Sequence, residues 1–329
     1  MAKPRLGFLG TGWIGRHRME AMLATGAVEA AAFCEPADAM ADEATLLAPE
    51  AVRASSLEAM LALGLDGVVI ATPSALHADQ SIAALEAGVA VFCQKPLGRD
   101  AAEAAAVVSA AKQANRLLGV DFSYRHTAAM AAIAPLVRDG ALGPVHAVDL
   151  TFHNAYGPDK PWFYDKAQSG GGCVMDLGVH LVDLALWTLG FPDIADVDAH
   201  LLAGGQPVAP DQVEDYAVAT LKLADGTVVR LACSWRLQAG REAVIEAAFY
   251  GAGGGAALRN VNGSFFDFTA ERFHGTHSET LVSPPDPWGG RAAAAWAERL
   301  ATDKRFDPQA ERLVAVARAL DRIYAAAAR

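Results

Sequence analysis

Two groups of residues in this chain have the types and spacing to do chemistry. The first is Gly10-Thr11-Gly12-Trp13-Ile14-Gly15, a G-x-G-x-x-G run placed directly after the apolar residues 6–9. Gly10 permits a tight turn, Gly12 lets the backbone approach a pyrophosphate, and Gly15 lets a helix pack close on a strand. A helix opening at Trp13 and Ile14 presents free N–H groups and the positive end of its dipole to an anion. Glu35 lies twenty residues after Gly15, at the end of a second apolar run. A carboxylate there accepts hydrogen bonds from the hydroxyls of an adenosine ribose and repels a 2′-phosphate, so the expected ligand is NAD, with NADP the lesser alternative. The second group is Gly170-Gly171-Gly172 followed by Asp176, His180 and Asp183. At i, i+4 and i+7 these three share one helix face, while Val174, Leu177, Leu181 and Leu184 form an apolar one. A histidine titrates near neutrality and is suited to moving a proton. Asp176 and His180 without a third ligand do not make a metal site, and none is expected.

The elements that must position these residues change character along the chain. Residues 5–9, 28–34, 66–71, 89–93 and 117–122 read as strands, and 14–25, 75–87 and 101–114 as helices between them. This alternation predicts a parallel, doubly wound sheet covered on both faces, a Rossmann domain over residues 1–122. Beyond it, a helix over 127–137 precedes strand-like segments at 145–153, 197–202, 215–223, 227–237, 242–250 and 256–261, with Asp225-Gly226 as a hairpin turn. A helix over 174–189 interrupts the series, and helices over 291–300 and 308–328 close it. Residues 123–329 are therefore expected to form an α+β domain with a large open, mainly antiparallel sheet.

Composition narrows the function classes. The 329 residues include 53% hydrophobic and 20% charged residues, enough apolar material for two cores. The net charge of -11 disfavours nucleic acid and anionic membrane surfaces, since neither offers a partner for excess carboxylates. There is no eighteen-residue apolar run free of charge, and the stretch after Lys3 and Arg5 is too short for a secretory signal, so the cytoplasm is the expected location. Cys34, Cys93, Cys173 and Cys233 are scattered and read as reduced core thiols.

Thr72-Pro73, His77, Ala87-Gly88-Val89, Gln94-Lys95-Pro96 and the run from Gly170 to His180 form a second fingerprint. In combination with the glycine loop it resembles the Gfo/Idh/MocA oxidoreductases, which include glucose–fructose oxidoreductase and inositol dehydrogenase. The resemblance extends over nearly the whole chain. It implies hydride transfer between a nicotinamide and a secondary alcohol or ketone of a sugar, cyclitol or related polyol. Lys95 matches the lysine of the family's Glu-Lys-Pro motif, with Gln94 in place of the usual glutamate. Asp176 and His180 match its Asp-x-x-x-His. By this resemblance Lys95 hydrogen-bonds the reacting oxygen and His180 is a general acid/base held by Asp176, with either Lys95 or His180 taking the proton. Thr11, Trp13, Ile14, Thr72, Pro73, His77 and Lys95 join Gly10, Gly12 and Glu35 on the cofactor side. Arg125 matches a basic position near substrate, and Tyr156, Trp162 and Trp235 supply aromatic surface for a polyhydroxylated ligand. The alternative functions are an NAD-dependent glycoside hydrolase working through transient redox and a non-catalytic dinucleotide-binding sensor. An open sheet with one uncovered apolar face implies a homodimer or homotetramer.

Overall fold

A computed structural model describes residues 2–328. The chain divides into two compact units, Met1–Asp121 with Gly290–Val314, and Phe122–Gly289 with Ala315–Arg329.

The first unit is built on six parallel strands, β1 (Arg5–Leu9), β2 (Glu29–Cys34), β3 (Val52–Arg53), β4 (Gly67–Ile70), β5 (Ala90–Cys93) and β6 (Leu118–Val120), in the order β3-β2-β1-β4-β5-β6. The connections carry α1 (Trp13–Ala24), α2 (Asp38–Leu47), α3 (Leu57–Leu61), α4 (Ser74–Glu86) and α5 (Ala101–Ala114). β4 and β5 are buried along their whole length, as apolar strands covered on both faces must be. Strand order reverses between β1 and β4, which opens a crevice at the carboxyl ends of the strands. Sequence periodicity did not reveal α2, α3 or β3, whose short, alanine-rich or exposed residues carry little pattern.

A division after residue 122 puts the helix Arg291–Thr302 with the second unit; the chain instead returns it to the first. Its Trp296 and Leu300 join Leu6, Phe8, Met19, Phe33 and Phe92 in one apolar cluster. A Cβ on Gly119 would lie 2.5 Å from the Trp296 ring, and one on Gly67 would lie 2.8 Å from it. Those two strand glycines are the sockets for the indole.

The second unit begins with α6 (Ala128–Arg138), β7 (Val145–Asn154) and α7 (Lys166–Ser169), followed by a π-helical turn (Val174–Gly178) that runs into α8 (Val179–Leu189). Then come β8 (Ile194–Ala203), β9 (Gln206–Pro207), β10 (Tyr216–Leu223), β11 (Val228–Ser234), β12 (Ala243–Gly251), β13 (Gly254–Asn260), β14 (Phe268–His274) and β15 (His277–Val282). They form a nine-stranded sheet, β15-β14-β13-β12-β7-β11-β10-β8-β9, antiparallel except where β7 meets β11. Gly226 takes a φ of +92 in the expected hairpin. The β14–β15 hairpin escaped the sequence pattern because β15 is polar and largely exposed.

One sheet face buries Val148, Leu150, Phe152, Leu231 and Ile245. The other departs from the expected bare apolar face. Asp149 pairs with Arg230, and Arg259 bridges Glu246 and Glu271, with Thr151, Val244 and Tyr250 between them. The one stretch among the described residues long and apolar enough to cross a bilayer, Lys166–Leu189, is buried from Gly171 to Leu186 except at Asp176 and His180, and serves as core. The four cysteines are unbridged, and Cys93, Cys173 and Cys233 are buried.

Candidate active site

The glycine loop sits at the carboxyl ends of β1 and β4. Gly10 has a φ of +82, and a Cβ there would lie 2.7 Å from the Ala71 carbonyl oxygen. A Cβ on Gly15 would lie 2.0 Å from the Gly10 carbonyl oxygen, so the close approach of helix to strand requires glycine at that position. A Cβ on Gly12 would meet nothing within 4 Å, which leaves its backbone open to a ligand. No side chain caps the first turn of α1 at Gly12. Thr11 is fully buried, and its hydroxyl has no hydrogen-bond partner among the described residues. An orphaned donor beside an uncapped helix N-terminus fits a phosphate-bearing dinucleotide. Trp13 is 61% exposed and stacks on His17.

Glu35 is fixed by two main-chain amides. Thr11 N–H donates to its Oε2 at 2.8 Å, and Ala37 N–H to its Oε1 at 3.0 Å. The carboxylate thus braces the glycine loop while retaining lone pairs for ribose hydroxyls. Arg53 donates to the Glu35 carbonyl and to Asp38, which occupies the nearby guanidinium with a carboxylate.

Thr72 and Pro73 form the adjoining strand-end turn, where the Thr72 hydroxyl bonds Gln80. His77 lies one turn into α4 and was expected to line the nicotinamide side. It is instead 1% exposed, with Nδ1 2.6 Å from the Pro96 carbonyl and Nε2 2.8 Å from the Thr72 carbonyl. Burial, with Lys95 adding to it, pushes its pKa below the usual imidazole range against the pull of those two carbonyls. It ties the Lys95-Pro96 loop to the Thr72 turn from beneath. From Val89 to Gly98 every residue is buried except Lys95.

In the second unit the same contrast recurs. From Gly171 to Leu186 every residue is buried except Asp176 and His180. The π-helical turn replaces the straight helix that the i, i+4, i+7 spacing presumes, and it separates the fate of Asp183 from that of the other two. Asp183 is 1% exposed and takes both Nε and Nη2 of Arg125. Arg125, expected near substrate, is held in this pair against the rings of Phe122, Trp187 and Phe191.

Trp235 is 3% exposed and donates its Nε1–H to Asp176 Oδ2 at 3.1 Å. Tyr164 and Phe163 pack edge-on to Trp235, and Trp162 stacks on Phe163 at 3.8 Å. Arg236 donates to the Tyr164 hydroxyl. Tyr156 is 54% exposed, and its hydroxyl bonds Glu242. The expected aromatic residues thus fall into one wall around Trp235 and an outlying Tyr156.

Tyr124, Glu214 and Tyr324, which sequence reasoning missed, support this turn. Tyr124 lies 4.9 Å from His180 ring to ring and is enclosed by Phe152, Phe268 and Trp288; burial, and then Asp176, raises its pKa. Glu214 is 2% exposed, and its Oε1 accepts from Gly172 N–H, Val174 N–H and the Tyr324 hydroxyl at 3.0, 2.9 and 2.8 Å. Burial raises the Glu214 pKa, opposed by those donors. Among the described residues no cluster of three His, Cys, Asp or Glu side chains could hold a metal ion.

Comparison with known proteins decides the lineage. Residues 5–122 match the family described as "Oxidoreductase family, NAD-binding Rossmann fold", and residues 130–257 the "GFO/IDH/MocA C-terminal domain". The chain belongs to the GFO/IDH/MocA family. Within it, the chain is 31% identical over 258 residues to a putative UDP-kanosamine synthase oxidoreductase subunit of Amycolatopsis mediterranei, covering 72% of this chain and 70% of that one. It is 28% identical over 211 residues to D-glucoside 3-dehydrogenase of Escherichia coli, covering 60% of each. The alignments to the first curated relatives span between about half and three-fifths of their length. GenD2 from gentamicin A biosynthesis, solved in complex with NAD, superimposes with a TM-score of 0.82 at 25% identity, over 100% of this chain and 95% of that one. GFO/IDH/MocA membership accounts for the six-stranded parallel sheet and the larger, mostly antiparallel one.

Proposed function

We propose that the chain is a dehydrogenase or reductase that moves a hydride between a nicotinamide dinucleotide and a secondary alcohol or ketone of a sugar, cyclitol or related polyol. One observation carries this: Asp176 and His180 are the sole openings in a buried stretch of sixteen residues, 171–186, and Asp176 is tied to a tryptophan in an aromatic wall. Aromatic faces suit the C–H faces of a sugar ring, and carboxylate and imidazole suit its hydroxyls. The relatives named for work on glucosides and sugar nucleotides agree with that class.

In this mechanism the α1 N-terminus and the Thr11 hydroxyl hold the pyrophosphate, and Glu35 takes the adenosine ribose, which favours NAD over NADP. The bound nicotinamide supplies or accepts the hydride. His180 exchanges the hydroxyl proton, oriented by its aromatic neighbour Tyr124 and by Asp176. Lys95 donates a hydrogen bond to the substrate oxygen as negative charge develops on it. The chain works as a homodimer or homotetramer, in the cytoplasm.

The test follows reduced nicotinamide with NAD and separately NADP across sugars, sugar acids and cyclitols. Turnover with NAD is expected, and Lys95→Ala and His180→Ala should bind NAD normally while losing most of that turnover. Near-normal rates in either variant remove the assigned role. A preference for NADP overturns the role of Glu35. Light scattering that finds only monomer at micromolar concentration overturns the association.

A further inference from the structure

Beneath Lys95 lies a buried polar contact that none of these roles uses. β5 ends at Cys93 and β6 at Val120, and the two residues are paired in register. The next residues, Gln94 and Asp121, therefore stand side by side at the edge of the sheet. Both main chains are pinned there: Gln94 N–H donates to the Ile70 carbonyl at 2.9 Å, and Asp121 N–H to the Cys93 carbonyl at 3.0 Å. Asp121 is 1% exposed, Gln94 7% and Arg18 6%. Asp121 Oδ2 accepts from Gln94 Nε2 at 2.7 Å and from Arg18 Nε at 2.5 Å.

Arg18 belongs to α1, the helix whose first turn forms the glycine loop. Arg18–Asp121–Gln94 is thus a continuous hydrogen-bonded chain from the dinucleotide helix to the residue before Lys95. A buried carboxylate tolerates this place because a guanidinium neutralises it and two donors occupy one oxygen. Gln94 is compatible with it because an amide can donate where a glutamate can only accept. The Glu-Lys-Pro pattern would set two carboxylates against each other here.

We propose that Asp121 and Gln94 are positioning residues for Lys95: the carboxylate stands just past the end of β6 instead of at position 94, and through Gln94 it fixes the lysine relative to the glycine loop. The inference rests on Lys95 being the catalytic lysine, so its test needs a readout that does not.

The experiment compares wild type, Gln94→Glu, the double variant Gln94→Glu/Asp121→Asn, and Lys95→Ala. NAD affinity is measured by calorimetry, turnover on the best substrate of the panel, and Lys95 acetylation by acetic anhydride through mass spectrometry. Gln94→Glu should keep its NAD affinity, lose about tenfold or more in kcat, and label at Lys95 at a rate different from wild type, because misplacing a reacting group by an ångström can cost that much or more. The double variant reverses the donor and acceptor and should restore both kcat and labelling. Wild-type labelling in Gln94→Glu, or a double variant no better than the single one, overturns the proposal. If Gln94→Glu fails to fold, Gln94→Met takes its place: it removes the donor without adding charge, and wild-type labelling there overturns the proposal equally. Full turnover in Lys95→Ala instead defeats the catalytic role of the lysine and leaves the labelling result standing.

Discussion

In the first unit the glycine loop is held by close main-chain approaches, Gly10 against Ala71 and Gly15 against Gly10, with the Glu35 carboxylate nearby in sequence accepting from Thr11 N–H. In the second unit the turn bearing Asp176 and His180 is held by side chains from far along the chain, Glu214, Trp235 and Tyr324. Backbone geometry leaves a mark in sequence as glycines at fixed spacing. A clamp made across forty or a hundred residues leaves none. The two regions should also fail differently, the first by losing its ligand and the second by losing turnover.

The largest effects come from filling the close approaches. Gly15→Ala places a methyl 2.0 Å from the Gly10 carbonyl oxygen, and Gly172→Ala places one 1.9 Å from the Glu214 carbonyl oxygen. Each should cost about 3 kcal/mol in urea denaturation, as overpacking against immovable backbone does. Calorimetry should show that Gly15→Ala abolishes NAD binding and Gly172→Ala does not, while both lose turnover. NAD binding lost equally in both would erase the distinction between the regions.

Next comes the Glu214 clamp. Glu214→Ala strands two buried amides and a hydroxyl and should cost about 2 kcal/mol, within the range for unsatisfied buried groups. Glu214→Gln keeps an oxygen where all three donors already converge on Oε1, and it removes a charge that burial disfavours. Its melting temperature should stay close to wild type. Equal losses in the two variants would mean that the charge, and not the acceptor, holds the turn.

Tyr324→Phe removes one of the three donors and should cost about 1 kcal/mol. It should lower kcat with little change in NAD affinity. A loss of NAD binding without a change in kcat would assign Tyr324 to the other region.

The smallest effect is a pH dependence in the first unit. Burial lowers the folded-state pKa of His77 below that of the unfolded chain. The unfolded state then binds the extra proton, so the contribution of His77 is complete above about pH 6.5 and declines as pH falls below it. Melting curves between pH 8 and pH 5 should fall more steeply for wild type than for His77→Asn. Parallel curves would show that the imidazole does not titrate differently in the folded protein.

Much of the fold was legible for the same reason as the glycine loop. Fully apolar runs marked β4 and β5, alternation marked β10 and β11, and Asp225-Gly226 marked the turn between the latter two. The polar β15 and the brief β3 and α3 carried no such period. Within the candidate site, Lys95, Asp176 and His180 were singled out by motif, and each stands partly exposed in an otherwise buried stretch. The burial of Arg125 with Asp183 was not, because the π-helical turn shifts the helical phase between residues 176 and 183 and no residue type announces such a turn. Tyr124, Glu214 and Asp121 were invisible because a buried polar residue is recognised by its partner. Arg18 and Asp121 are 103 positions apart, and Glu214 and Tyr324 are 110.

The return of residues 290–314 to the first unit has a consequence for synthesis. Trp296 and Leu300 sit in sockets left by Gly67 and Gly119, so a nascent chain that has released only its first 121 residues carries a sheet with that recess still open. Domains ordinarily complete themselves in the order in which the ribosome releases them. Here the amino-terminal unit lacks residues 290–314 until residues 122–289 of the second unit have been made. A truncated chain of residues 1–122 should therefore be recovered as an aggregation-prone, incompletely packed species, and adding the helix Arg291–Thr302 as a separate peptide should raise its solubility.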